Sequence, residues 1–245
     1  MTVALHGFLG APAMWSGLCD DLVAPWCPGH GPRPAVMEGA TFDEVVDRLA
    51  AQLLPRDRRV RLVGYSMGAR LALAMTLRHP SRVREAVLVG GTPGLRTEAE
   101  RAARRRDDDA LAEALLRDGL PAFVDRWEAL PLFATQRDLP AAARAARRAQ
   151  RLAHDPAALA WCLRALGTGA MPSLWEALPG CEVPLRLVTG GRDEKFTAVA
   201  RAVVALCPRA THAVIAGAGH DVVTERGVGA LPRDGAAHDE AEREG

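Results

Sequence analysis

The 245-residue sequence has no Cys-x-x-Cys pair, no Cys/His cluster, no excess of charge of either sign, and no run near the ~20 apolar residues that a membrane span needs. Each absence removes a class of function. Five cysteines, at Cys19, Cys27, Cys162, Cys181 and Cys207, are scattered without metal-ligand spacing or a disulfide framework, which points to no metal site and to a reduced, cytoplasmic setting. With 31 Lys+Arg against 30 Asp+Glu, the formal net charge is +1. No global field therefore draws the chain to nucleic acid or an anionic membrane, and any anion must be met by local groups. The opening Met1-Thr2-Val3-Ala4-Leu5 has neither a basic leader nor a long apolar stretch, so the chain is read as soluble and unprocessed. What is present is enough apolar material, 49% of residues, for one full core.

Short aliphatic and β-branched runs bounded by Gly, Pro or charge predict buried parallel strands at Val3–Leu5, Val60–Gly64, Ala86–Val89, Leu185–Thr189 and Thr211–Ile215. Helical patterns alternate with them. Thr41 and Glu44 form a capping-box signature ahead of Val45, Val46, Leu49 and Leu53. The alternation implies an α/β fold with a doubly wound, mostly parallel sheet and ligands at the carboxyl ends of its strands. Residues 92–181 break the rhythm: they hold no convincing strand and are rich in Ala, Arg and Leu at helical spacing, which predicts a helical cap inserted into a core made of 1–91 and 182–226. The charged run Arg101 to Asp109 reads as a solvated helix face. From Gly227 to Gly245 the composition predicts a disordered tail.

Three segments carry chemistry. Gly64-Tyr65-Ser66-Met67-Gly68 lies between a strand and a helix, the context of a nucleophile elbow. With 23 Gly and 4 Ser in the chain, chance supplies only about 0.03 Gly-x-Ser-x-Gly motifs. His6-Gly7-Phe8-Leu9-Gly10 follows the first strand, where the amide of Phe8, with that of Met67, would form an oxyanion hole. Asp193 and His220 each follow a later strand, in the order such a triad requires, so Asp193 would orient His220 and His220 would take a proton from Ser66. His6 is read as structural, and His30, His79, His154, His212 and His238 lack this context.

The sequence resembles the 2-succinyl-6-hydroxy-2,4-cyclohexadiene-1-carboxylate synthases of menaquinone biosynthesis, lyases built on the α/β-hydrolase fold. The resemblance spans about residues 2 to 225. It rests on His6-Gly7-Phe8-Leu9-Gly10, Pro28-Gly29-His30-Gly31, Gly64 to Arg70, Gly91-Thr92-Pro93-Gly94-Leu95, Trp127 ahead of Pro131-Leu132-Phe133, Gly167-Thr168-Gly169, Pro172-Ser173-Leu174-Trp175, Gly191 to Phe196 and Ala218-Gly219-His220. Arg70, the stretch from Pro93 to Arg104 and the run Asp193 to Phe196 discriminate best, because many α/β hydrolases share the rest.

The resemblance implies a 2,5-elimination of pyruvate from a succinyl-enolpyruvyl precursor, with the Ser66–His220 couple as base and neither metal nor organic cofactor. A small polycarboxylate substrate calls for guanidinium groups, which bind carboxylates in a fork. Arg70, one turn past Ser66, and Arg104 in the cap are the expected contacts, with Arg101 as a further candidate; a surface salt bridge is the competing role for Arg70. Lys195, Tyr65 and Trp127 are lining residues that the resemblance implies. A serine carboxylesterase or carbon–carbon bond hydrolase of the same fold is the alternative, and a silent binding protein is a third. Two departures from the family stand out: no amino-terminal hairpin precedes the strand leading to His6, and no final amphipathic helix follows His220. The sequence carries no signal for oligomeric state.

Overall fold

A computed structural model describes residues 1–234. Six parallel strands form one sheet in the order β2-β1-β3-β4-β5-β6: β1 (Thr2–Leu5), β2 (Leu22–Val23), β3 (Val60–Tyr65), β4 (Val83–Val89), β5 (Leu185–Gly190) and β6 (Ala210–Ile215). This is the doubly wound α/β arrangement that the strand–helix alternation predicts. Strand β2, two residues long, is too short to leave a pattern. The central β3 is buried along its whole length, as expected of a parallel strand covered on both faces. Its Arg61 is accommodated by Glu85 of β4, whose carboxylate takes Arg61 Nε and Arg186 Nε at 2.9 Å each, at the starting ends of the strands.

Helix α1 (Phe42–Leu53) begins at the expected capping box, with Glu44 N donating to Thr41 Oγ1 at 3.3 Å and Thr41 N to Glu44 Oε2 at 2.8 Å. It buries Phe42, Val45, Val46, Leu49 and Ala50 against the sheet. Helix α2 (Met67–Arg78) follows β3 and is buried over most of its length.

Between β4 and β5 the chain runs through α3 (Glu98–Glu128), a 3-10 turn at Pro131–Asp138, α4 (Ala141–Leu152), α5 (Pro156–Leu166) and a second 3-10 turn at Trp175–Gly180. Thr97 and Glu100 close a second capping box at the start of α3. Gly119, at φ +83°, and Pro121 break α3 into two helical pieces. The solvated face expected for the Arg101–Asp109 run is corrected at Asp108, which is 1% exposed and accepts from Arg104 Nε at 2.8 Å. Leu9, Leu115, Phe123, Val124, Leu159 and Leu163 form a separate apolar cluster that seats α3 and α5.

After β5 come α6 (Glu194–Leu206) and, after β6, the five-residue α7 (Val222–Arg226). The expectation of a free tail from Gly227 is corrected for the described part of that stretch. Val228–Ala230 form a 3-10 turn, Leu231 is 5% exposed in the cluster of Trp15, Tyr65 and Val222, and Arg61 donates to the Pro232 carbonyl. Arg84 pairs with Asp234. Two apolar side chains and two arginine contacts suffice to dock a segment too polar to form a helix of its own. The remainder of that expectation, residues 235–245, lies outside the described residues.

Candidate active site

Ser66 stands between β3 and α2 at φ +51°, ψ −107°, a backbone conformation that non-glycine residues avoid. The turn is possible because the flanking residues have no side chain: a Cβ at Gly64 would lie 2.3 Å from the Gly68 carbonyl oxygen, and one at Gly68 would lie 2.0 Å from that of Leu5. The Ser66 amide is fixed to the Val89 carbonyl at 2.8 Å, which anchors the elbow to β4.

Asp193 caps α6, with its Oδ1 accepting from Phe196 N at 3.2 Å. Its Oδ2 lies 2.7 Å from His220 Nδ1. A carboxylate can only accept, so Nδ1 carries the proton and Nε2 is left to accept from Ser66 Oγ at 3.0 Å. His220 is 2% and Asp193 6% exposed, so the pair works out of bulk water. Phe196 packs on the imidazole at 4.4 Å between ring centroids, with Tyr65 at 5.4 Å. The structure thus brings together three residues that are far apart in the sequence, in an arrangement able to take a proton from a substrate or to activate Ser66.

Phe8 and Met67 line the same cavity as Ser66. Met67 is the first residue of α2, so its amide is among those with no acceptor within the helix. Phe8 occupies the turn closed by Gly10 N to the Gly7 carbonyl at 2.9 Å, whose third residue, Leu9, has φ +58°. Both residues therefore sit where amides can face a developing negative charge.

Arg70, Arg104, Tyr65, Trp127 and Lys195 line this cavity too. Arg70 is not a surface residue: it is 9% exposed, its Nη1 donates to the Leu166 carbonyl at 2.7 Å, and burial lowers its pKa to about 10, which leaves it charged at neutral pH. Arg104 is held by the buried Asp108. Trp127 stacks on Phe123 at 5.8 Å and leans on Phe8 at 5.1 Å. Arg101, a further candidate from the sequence, is instead engaged by Glu98 at 2.9 Å and the Leu95 carbonyl at 3.1 Å.

Sequence reasoning missed two groups. Arg147, Gln150 and Arg151 of α4 also line the cavity, so four arginines surround it. The spacing of Arg147 and Arg151, one turn apart in an amphipathic helix, was the available signal. The second is a histidine network, in which His6 has the structural role expected of it. His30 Nδ1 donates to the Pro28 carbonyl at 3.0 Å and its Nε2 accepts Leu9 N at 3.0 Å; His6 does the same between the Gly7 carbonyl at 2.8 Å and Cys27 N at 3.0 Å. His154 accepts Gly31 N at 3.2 Å. These rings pack edge to face behind the Phe8 turn, 5.0 Å and 5.1 Å between centroids. Burial drives His6 down to about 4 and His30 well below the usual histidine range, so both are neutral acceptors at neutral pH.

Among the described residues, no group of three or more His, Cys, Asp or Glu is placed to hold a metal ion, and no helix is long and apolar enough to cross a membrane.

A strained serine between a central strand and a helix, joined to a histidine and an aspartate from later strands, defines an α/β hydrolase. Residues 3–231 match the model of the alpha/beta hydrolase family, and the chain belongs to that family. Within it, the chain is 35% identical over 236 residues to the 2-succinyl-6-hydroxy-2,4-cyclohexadiene-1-carboxylate synthase of Salmonella agona (strain SL483), covering 94% of this chain and 90% of that protein. A Bacillus subtilis (strain 168) relative, given the same name provisionally, is 37% identical over 238 residues, 91% of this chain and 85% of its own length. The structure of MenH from S. aureus superposes with a TM-score of 0.85 at 34% identity, covering 92% of this chain and 88% of that one. These likenesses place the chain among the 2-succinyl-6-hydroxy-2,4-cyclohexadiene-1-carboxylate synthases.

Proposed function

We propose that the protein eliminates pyruvate from 2-succinyl-5-enolpyruvyl-6-hydroxy-3-cyclohexene-1-carboxylate, giving 2-succinyl-6-hydroxy-2,4-cyclohexadiene-1-carboxylate for menaquinone synthesis. The observation that carries this reading is the join of a triad and a cationic wall: Ser66 Oγ, 3.0 Å from His220 Nε2, opens on a cavity bordered by Arg70 and Arg104, with Arg147 and Arg151 beside them in pairs with Asp221 and Glu128. A neutral ester needs no such wall. A substrate with several carboxylates does, because each must find a charge-assisted partner as it leaves water.

The reaction requires a base near a ring carbon. Ser66 Oγ takes the ring proton as its own passes to His220 Nε2, and Asp193 stabilises the imidazolium through Nδ1. The electrons of the C–H bond form a double bond to the neighbouring alkene carbon, the existing ring double bond moves one position along, and the bond from the ring to the enolpyruvyl oxygen breaks. The leaving enolate takes the proton from His220 Nε2 at its methylene carbon and departs as pyruvate, which restores the couple. The amides of Phe8 and Met67 oppose the charge that develops as the ring proton leaves. Every group in this sequence belongs to the chain or the substrate. A reduced, cytoplasmic working environment is part of the reading, and five cysteines without a disulfide support it.

The decisive assay is pyruvate release from the enolpyruvyl precursor, run beside a panel of neutral carboxylic esters. Release of pyruvate with negligible ester turnover is the expected result. Ester turnover without pyruvate release would replace this reading with that of a serine esterase.

A further inference from the structure

His220 is gripped on both sides by residues that also hold the segment between β4 and β5. On one side, Gly219 N donates to Glu225 Oε2 at 2.7 Å, while Thr135 Oγ1 donates to Glu225 Oε1 at 2.7 Å. On the other, Asp221 accepts from Arg147 Nη2 at 2.8 Å, and Arg147 Nη1 reaches Thr224 Oγ1. Asp221 is 1% exposed.

The Asp221 carboxylate has two tasks. Its Oδ1 caps α7 through Thr224 N at 3.1 Å, a role that an uncharged asparagine fills equally well. Its Oδ2 takes the Thr224 hydroxyl at 2.9 Å and the Arg147 guanidinium. Capping does not explain the charge. A buried carboxylate without a cation carries a large desolvation penalty, so the residue next to His220 settles in this place only with α4 docked over it. His220 itself meets Ser66 at 3.0 Å. Small displacements of a catalytic group at such a distance are costly to rate.

We propose that Arg147 is a positioning residue of the elimination: through Asp221 it ties the His220 loop to α4 and so holds the imidazole within reach of Ser66. The proposal rests on the reading of Ser66 and His220 as the base. It assigns to Arg147 a part distinct from that of Arg70 and Arg104, which are left to face the substrate.

The test uses the full-length protein and the variants Arg147→Ala, Arg147→Lys, Asp221→Asn and the Arg147→Ala/Asp221→Asn double variant, with two readouts. One is kcat and KM for pyruvate release. The other is the rate at which a neutral alkyl fluorophosphonate modifies Ser66, a step in which Ser66 Oγ displaces fluoride from phosphorus as its proton passes to His220. We expect Arg147→Ala and Asp221→Asn each to slow kcat and phosphonylation by between about tenfold and a hundredfold, with little change in KM. The double variant should be no slower than the worse single, and Arg147→Lys should recover part of the rate. A rise in KM with phosphonylation at the wild-type rate would overturn the proposal, making Arg147 a substrate contact. Wild-type values in both readouts, or losses that multiply in the double variant, would overturn it as well. Where Arg147→Ala does not fold, Asp221→Asn, which keeps the α7 cap, decides on its own. A wild-type protein that is phosphonylated but releases no pyruvate would refute the functional reading, and the phosphonylation arm would still decide the role of Arg147.

Discussion

His30 Nε2 accepts the amide of Leu9 at 3.0 Å, and Leu9 is held at φ +58° in the turn that carries Phe8. A leucine in that region costs on the order of 1–3 kcal/mol and persists only where its surroundings impose it. The imidazole imposes it here together with the Gly10–Gly7 hydrogen bond and the packing of Leu9 among Leu115, Phe123 and Leu159. His30→Ala should therefore let the turn relax and shift the amide of Phe8, the proposed oxyanion donor. The expected result is a loss in kcat of about tenfold or more, since a displaced oxyanion donor loses part of the ~10²–10³ that such donors supply. Steady-state pyruvate release checks it; a change confined to KM would contradict it.

Acid should destabilise the protein well before its carboxylates titrate. Burial holds His6 near 4 and His30 well below its usual value, and it lowers His154 as well. In the unfolded chain all three take up protons near pH 6.5. Stability from the neutral rings is therefore complete above that pH and is lost as the pH falls toward 4, on the order of 3 kcal/mol from His6 alone. Denaturant melts at pH 7, 5.5 and 4.5 measure this, and His6→Gln should flatten the dependence. A stability flat from pH 7 to 4.5 in the wild type would contradict the assignment.

Ser66→Ala and His220→Ala should each abolish nearly all pyruvate release, with the double variant little worse, because groups that pass one proton act as a unit. Asp193→Asn should also be severe. An asparagine amide presents a donor to Nδ1, which favours the tautomer with the proton on the wrong nitrogen. Single-turnover rates on all four variants check this; losses that multiplied would show that the residues act separately.

Arg70→Ala and Arg104→Ala should weaken turnover of the polycarboxylate by at least about tenfold each, from charge-assisted pairs worth roughly 1.5–3 kcal/mol. Neither should alter phosphonylation of Ser66 by a neutral probe. Equal losses in both assays would instead mark a folding defect, a real hazard at Arg70 because of its bond to the Leu166 carbonyl.

Truncation after Ala230 should lower the melting temperature by several degrees. It removes Leu231, whose burial is of the kind that costs about 2–5 kcal/mol on deletion to alanine, together with the Pro232 and Asp234 contacts of Arg61 and Arg84. Leu231→Ala alone should account for most of the shift in a calorimetric scan.

The elements legible in the sequence are those whose signal is local. Runs such as Leu62-Val63 and Val87-Leu88-Val89 mark buried strands, and Thr41 with Glu44 marks the start of α1; Thr97 with Glu100 carries the same signature for α3. The Gly64–Gly68 segment is legible because no other residue type fits between the backbones it touches. What could not be read depends on distant partners. Nothing near His30 in the sequence points to Leu9, 21 residues away, nor near Arg147 to Asp221, 74 away. Asp108 looks like any member of a charged run until α5 and the Gly167–Gly169 turn close over it. The segment 228–234 misleads for the opposite reason: its composition is that of a tail, yet Leu231 and Val228, with the Arg61 and Arg84 contacts, anchor it.

Ser66 and His220 meet across 154 residues of chain. Synthesis runs from the amino terminus, so the elbow, the Phe8 turn and every helix between β4 and β5 leave the ribosome before the imidazole that completes the proton relay. A nascent chain stalled between α6 and β6 carries all four arginines of the pocket, but it has no means of moving a proton. Chemical competence thus arrives with the final strand and the loop behind it, and any fragment ending earlier is at most a binder of anions.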